Sequence, residues 1–548
     1  MINRKHLKVS FWTWTALIIL ILCFVFIVYP FAKMFIQSFV MRGKFSLGNY
    51  VRFFSKRYYR NALINSFKVC FAATIAAVLV GLPMAYISSR FNIAGKHLLN
   101  IFVIISLMSP PFIGAYSWIT LLGRNGFLTK FFQKVGIHFG SIYGFGGIVL
   151  VFIFKLYPFV YLYVRGALSS MDSSLEEASA SLGIAGWKRL EKITFPLILP
   201  TLTSSALMVF MNALADYGTP LLIGQGYKVL PVIIYEEYLS EVTTSTSFAS
   251  ALSVIIVLCS LLVLLFQQIV ISNRNYTMSS MRPSKVIQLT PVKRWLCTIF
   301  CFLIAIIGIL PQITVIVTSF LKTNGPMFVR GFSFQSYKNV LDKLGQNILN
   351  TYRNALLALG IMIAIGVLLS YLIVKRNSKV SKVLDSIIMF PYVIPGSVVG
   401  IALLSAFNRG GFVLVGTSTI IVIALVMRRL QYTLKSSSSI LYQIDSSIDE
   451  ASISLGVSPL KTFWKITFRV MLPGVLSGAV LSFVSSINEL SASLMLYSAK
   501  TATISVAIFT EIMHDGYGTG AALATILTLT TVVSLLVFDK ISGSEQIL

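Results

Sequence analysis

The chain has 548 residues, of which 56% are hydrophobic and only 11% charged, where a soluble domain carries roughly 25% charge. Its mean hydropathy is +0.83, and long apolar runs recur with no polar stretch of domain size between them. Together these exclude a water-soluble globule and point to a polytopic membrane protein. The net charge of +27, from 45 Lys and Arg against 18 Asp and Glu, first suggests loops facing anionic lipid head groups rather than nucleic acid. Cys23, Cys70, Cys259, Cys297 and Cys301 form no CxxC pair and sit in apolar stretches, so they read as small core residues.

A bilayer core needs about 20 apolar residues in a helix. The predicted elements, in chain order, are twelve such spans: 11–32, 62–87, 98–122, 145–168, 197–216, 247–272, 295–320, 352–374, 384–407, 411–434, 471–492 and 519–538. The fold class is therefore all-α, as two tandem six-helix halves: 1–272, a linker at 273–294, and 295–548. The first span is too long for a signal-peptide core and reads as an uncleaved anchor. Basic residues bias both termini only modestly toward the cytoplasm, because Lys33, Arg42, Lys44, Arg52, Lys56, Arg57 and Arg60 crowd the first outer loop.

The chain repeats itself. Asp172, Ser173, Ser174, Leu175, Glu176, Glu177, Ala178 and Ser179 return as Asp445, Ser446, Ser447, Ile448, Asp449, Glu450, Ala451 and Ser452, an offset of 273 residues that holds to Pro200 and Pro473. Even numbers of spans per half give both copies the same membrane orientation. Locally each copy spells a short helix, a turn and a second helix. Ser174 and Ser447 stand three residues before Glu177 and Glu450, the spacing of a capping box. Leu175, Ala178, Ser179 and Leu182 share one face. Gly183 and Gly456 fall where a left-handed cap needs a residue without Cβ, and Ser458 with Pro459 restarts a helix. A pair so polar and so small needs a partner surface.

These residues resemble the EAA loop of permease subunits in binding-protein-dependent ABC importers: Glu177, Ala178, Ser179, then Gly183, Ile193, Phe195 and Pro196, and again from Glu450 to Phe468, with Arg469 in place of the second Pro. Leu214 to Thr219 and Asn488 to Leu490 are similar to segments of fused two-half permeases for ferric iron and their relatives for phosphonates, phosphosugars, thiamine and polyamines. The resemblance implies a type I permease fold. It also implies that Glu177, Ala178, Gly183, Glu450, Ala451 and Gly456 couple the chain to two copies of a cytoplasmic ABC ATPase, and that an extracytoplasmic binding protein delivers the substrate, ferric iron first and an organophosphate or phosphonate second.

No phosphate loop of the form G-x-x-x-x-G-K-[S/T] is present, and His6, His97, His138 and His514 are scattered, so the sequence predicts no cofactor and no catalysis of its own. An ion-driven carrier is the competing class, and would need ionisable groups at depth. Lys68, Lys155, Asp216 and Glu489 lie within or at the ends of spans. Asp216 and Glu489 are related by the repeat offset and are expected to line the substrate path, as a pair of facing carboxylates for a cation, or else to cap a helix or pair with a base. Pro110 and Pro111 with Gly114, and Pro391 and Pro395 with Gly396, predict interrupted helices bordering the pathway. The outer Glu236, Glu237 and Glu241, with Tyr235, Tyr238 and Tyr497, offer oxygen donors compatible with iron.

Overall fold

A computed structural model describes residues 11–107, 110, 112–137, 140–184, 186–239, 246–272, 286–325, 327–408 and 413–542. The principal helices of the first half are α1 (Phe11–Ser38), α2 (Arg57–Arg90), α3 (Lys96–Leu107), α4 (Ile113–Leu122), α5 (Phe145–Ser169), α6 (Ser173–Ser181), α7 (Gly186–Ala215), α8 (Leu230–Leu239) and α9 (Thr246–Ser272). Those of the second are α10 (Pro291–Ser319), α11 (Gln335–Arg376), α12 (Lys379–Val393), α13 (Gly396–Phe407), α14 (Ser418–Gln443), α15 (Ser446–Ser454), α16 (Pro459–Ile487), α17 (Ile504–Met513) and α18 (Tyr517–Ser542). A two-stranded hairpin follows the first helix of each half: β1 (Val40–Met41) with β2 (Lys44–Phe45), and β3 (Leu321–Asn324) with β4 (Met327–Phe332).

Among the described residues nine helices are long and apolar enough to cross a bilayer, and α12 with α13, bent by 112°, makes a tenth. The two remaining predicted spans fall on shorter or more polar elements. Span 98–122 is split into α3 and α4, and span 411–434 falls on α14, whose centre carries Arg428 and Arg429. Large apolar side chains such as Ile18 and Phe24 on α1, Phe71 and Leu79 on α2, and Leu262 and Phe266 on α9 are exposed; only a lipid solvent tolerates so broad an apolar surface.

The halves are not packed as the chain divides them. The last turns of α1 lie against α13 of the second half, and α10 lies against α3 and α4 of the first. Trp12 stacks on Tyr371, with ring centroids 4.2 Å apart, and meets Phe463 edge-on at 5.0 Å. Reciprocally, Gln312 Nε2 donates to the Ile105 carbonyl at 3.3 Å, and Ser106 Oγ to the Gly308 carbonyl at 3.1 Å. Each half thus extends its first helix across the other.

Candidate translocation site and coupling loops

The interrupted spans form the site's frame. In the second half the break falls at Ile394 and Pro395, both extended, and Pro395 starts α13; Pro391 lies inside α12 rather than at the bend, which corrects the predicted position. In the first half α4 begins after Phe112, held at φ 75° and buried. Pro110 is coil beside it, and Pro111 lies outside the described residues.

Against each break sits an acid–base pair. Lys155 Nζ donates to Asp216 Oδ2 at 2.5 Å, and Asp216 Oδ1 accepts from the Thr219 amide at 3.0 Å. In the second half Arg428 Nη1 and Arg429 Nη2 both donate to Glu489 Oε2, the latter at 2.5 Å, while Glu489 Oε1 accepts from the Ala492 amide at 3.0 Å. The offset that relates Asp216 to Glu489 also relates Lys155 to Arg428. Of the two expectations, the pairing with a base is what the geometry displays: each carboxylate is bonded to a base, on α5 in the first half and on α14 in the second, and to the backbone of the turn that follows. The reason is general, since an unpaired ion at membrane depth costs several kcal/mol.

Sequence reasoning missed Arg428 and Arg429; adding 273 to Lys155 would have found the first. The second has no counterpart, because Leu156 occupies its position in the first half. Gly396 makes room for this cluster: a Cβ there would lie 2.6 Å from Arg428 Nη1 and 2.7 Å from the Ser491 Cβ.

A cavity of about 220 Å³ opens beside the arginines, lined among others by Met208, Asn212, Tyr392, Arg428, Arg429 and Tyr432, and so by helices of both halves. A chain of rings runs from the first acid–base pair toward the second half: Tyr217 to Tyr235 at 5.4 Å, Tyr235 to Phe509 at 6.2 Å and Phe509 to Phe112 at 4.9 Å. Tyr217 is buried beside Asp216.

Two of the predicted oxygen donors are already engaged. Glu236 pairs with Lys228. Glu237 accepts from Tyr59 Oη at 2.6 Å and lies 3.6 Å from Arg52, which itself rests 4.0 Å above the Phe248 ring. That arrangement also accounts for one base of the crowded 33–60 segment. Glu241 and His138 lie outside the described residues. Among the described residues no three His, Cys, Asp or Glu side chains come together as a metal site.

The two repeated loops are built alike. α6 and α15 start on Asp172 and Asp445, whose carboxylates accept from the Ser174 and Ser447 amides at 2.8 and 2.9 Å. The predicted caps, Ser174 and Ser447, are thus two residues too late: a carboxylate is the better acceptor for a helix's first amides and complements their partial positive charge. The Ser447 amide holds the Asp445 carboxyl below its ordinary range. Gly183 and Gly456 close the helices at φ 73° and 81° as expected, with the Ile184 and Val457 amides donating back to the Ser179 and Ser452 carbonyls at 2.9 and 3.2 Å. On the predicted face Ser179 is buried, but Ala178 is exposed and Leu182 is 78% exposed, as its counterpart Leu455 is at 84%. Glu177, Glu450 and Ala451 are exposed too. Each loop leads into a π-helical turn, Leu190–Thr194 and Phe463–Thr467, at the same repeat position.

A doubled bundle with broken helices around a paired-charge cavity, and a matching polar loop on each half, defines a two-half membrane permease. Its sequence matches the family "Binding-protein-dependent transport system inner membrane component" twice, over residues 77–275 and 356–542, and the chain belongs to that family. It is 30% identical over 546 residues to the "Ferric transport system permease protein FbpB" of Actinobacillus pleuropneumoniae, covering 96% of this chain and 78% of that protein. It is 30% identical over 494 residues to the "Putative ferric transport system permease protein FbpB 1" of Haemophilus influenzae, covering 88% and 78%. Among solved structures, a bacterial ABC transporter importing the polysaccharide alginate is similar at 16% identity and a TM-score of 0.41, over 48% of this chain and 96% of that one.

Proposed function

We propose that the chain is the translocation subunit of an ATP-driven importer whose cargo is ferric iron, handed over by an extracytoplasmic binding protein. Two relatives named as ferric permeases, similar along most of the chain, carry that reading. Two copies of a cytoplasmic ABC ATPase dock on α6 and α15, where Leu182 and Leu455 present apolar knobs beside Glu177, Ala178, Glu450 and Ala451. Both termini and the 273–294 linker between the halves face the cytoplasm. Closure of the ATPases pulls the two loops together. The π-helical turns pass that movement into α7 and α16, which end at Asp216 and beside Glu489, and the ring chain between the halves opens.

Asp216 and Glu489 serve as positioning residues along the path, tethering the turns after their helices to α5 and α14 respectively. The helix breaks at Pro110 and Pro395 border the same path.

Reconstitution into proteoliposomes with the partner ATPase and binding protein tests the reading: ferric-loaded binding protein is expected to stimulate ATP hydrolysis and drive iron uptake, and a phosphonate-loaded one to do neither. Uptake in vesicles lacking the ATPase would refute it in favour of an ion-driven carrier.

A further inference from the structure

The two halves differ where their symmetry matters most. In the first, one lysine meets one aspartate and the charges cancel. In the second, two guanidinium groups share a single carboxylate oxygen, and among the described residues no other acidic side chain lies within ion-pair distance of either. The cluster therefore keeps a net charge of one positive unit. It sits ten residues into α14, about 15 Å from that helix's first residue at 1.5 Å per residue, deep in the helix bundle, with side-chain exposures of 10% for Arg428, 18% for Arg429 and 2% for Glu489. The Nε atoms of Arg428 and Arg429 are buried and have no acceptor.

Uncompensated charge at that depth is expensive and persists where it has a ligand. Both arginines line the 220 Å³ cavity, together with the Tyr392 and Tyr432 rings, 5.5 Å apart and perpendicular, and with Asn212 on the facing helix of the other half. Guanidinium groups favour planar, multi-oxygen anions.

We infer that this cavity is an oxyanion site in the translocation path, with Arg429 supplying the unbalanced charge and Arg428 the second donor. It takes a phosphate- or carboxylate-bearing small ion, and it repels a bare metal cation. Resting on the iron reading, the consequence is that ferric ion passes this point bound to an oxyanion that lowers or reverses its charge.

The full chain in nanodiscs, titrated with radiolabelled orthophosphate, tests the site without any partner. Saturable binding is expected in the wild type, weakened at least tenfold in Arg429→Gln and kept within about threefold in Arg429→Lys, which retains the charge and reports that the fold survives. No saturable binding by the wild type, or equal binding by Arg429→Gln, overturns the inference. In the reconstituted complex, iron presented with phosphate is expected to enter several-fold faster than iron presented with nitrate, with Arg429→Gln erasing the difference. Equal wild-type rates would overturn the consequence for iron while leaving the binding result standing, and absence of any iron uptake would count against the iron reading instead.

Discussion

Glu489 and Asp216 occupy the same place in their halves but differ in what they hold. Glu489 is 3% exposed and is the shared counter-ion of two arginines; its replacement by Gln leaves both buried without a counter-ion, a change that costs on the order of 3–5 kcal/mol. The Lys155–Asp216 pair is more open, at 24% and 12% side-chain exposure, so Asp216→Asn is expected to cost distinctly less. Thermal unfolding in detergent should rank the variants with Glu489→Gln well below Asp216→Asn, and equal midpoints would contradict the assigned asymmetry. Gly396→Ala is expected to act through the same cluster, since its methyl group would press on the Arg428 Nη1 that Glu489 holds and on the Ser491 Cβ. It should lower transport with little change in ATPase binding.

At the scale of the element, α6 and α15 of the two repeated loops are nine residues long, too short to hold themselves in water. On the proposed ATPase reading, their caps help to shape the docking surface. Replacing both Asp172 and Asp445 with Ala is expected to weaken ATPase association several-fold, measured by co-purification or surface binding, without affecting insertion. Because the Asp445 carboxyl is held below its ordinary range by the folded loop, its contribution is present above that range and lost as pH falls through the lowered value; Asn at this position should remove that acid dependence. A bulky residue at both Gly183 and Gly456 meets open space but an unfavourable positive φ. The double variant is expected to hydrolyse ATP without uptake, and normal uptake would remove these turns from the coupling path. These loops were legible in advance because their chemistry is local: a repeated motif, a glycine at a helix end, a Ser-Pro restart. The cap was misplaced by two residues because Ser and Asp side chains compete for the same amides, and only the folded turn decides between them.

For the whole molecule, the exchange of first helices makes the halves interdependent. Trp12 fills a site between Tyr371 and Phe463, which belong to the other half. Trp12→Ala opens a cavity there and is expected to cost roughly 3 kcal/mol, read as a lower unfolding midpoint. Two fragments expressed separately and divided within 273–285 should co-purify through these contacts. Fragments that fold but stay apart would show that the exchange contributes little.

Hydropathy and the 273-residue repeat by themselves determined that this chain crosses the membrane many times, as two like halves with a matching polar loop on each, because span length and loop capping depend on residues near one another in the chain. They also located both carboxylates and both helix breaks. Only the tertiary structure decided what those groups do. Lys155 lies 61 residues from its acid and Arg428 61 from Glu489, and no local pattern announces a partner at that distance. Whether a charge is free, paired or in excess depends on which helices meet, and that is set by packing across the two halves.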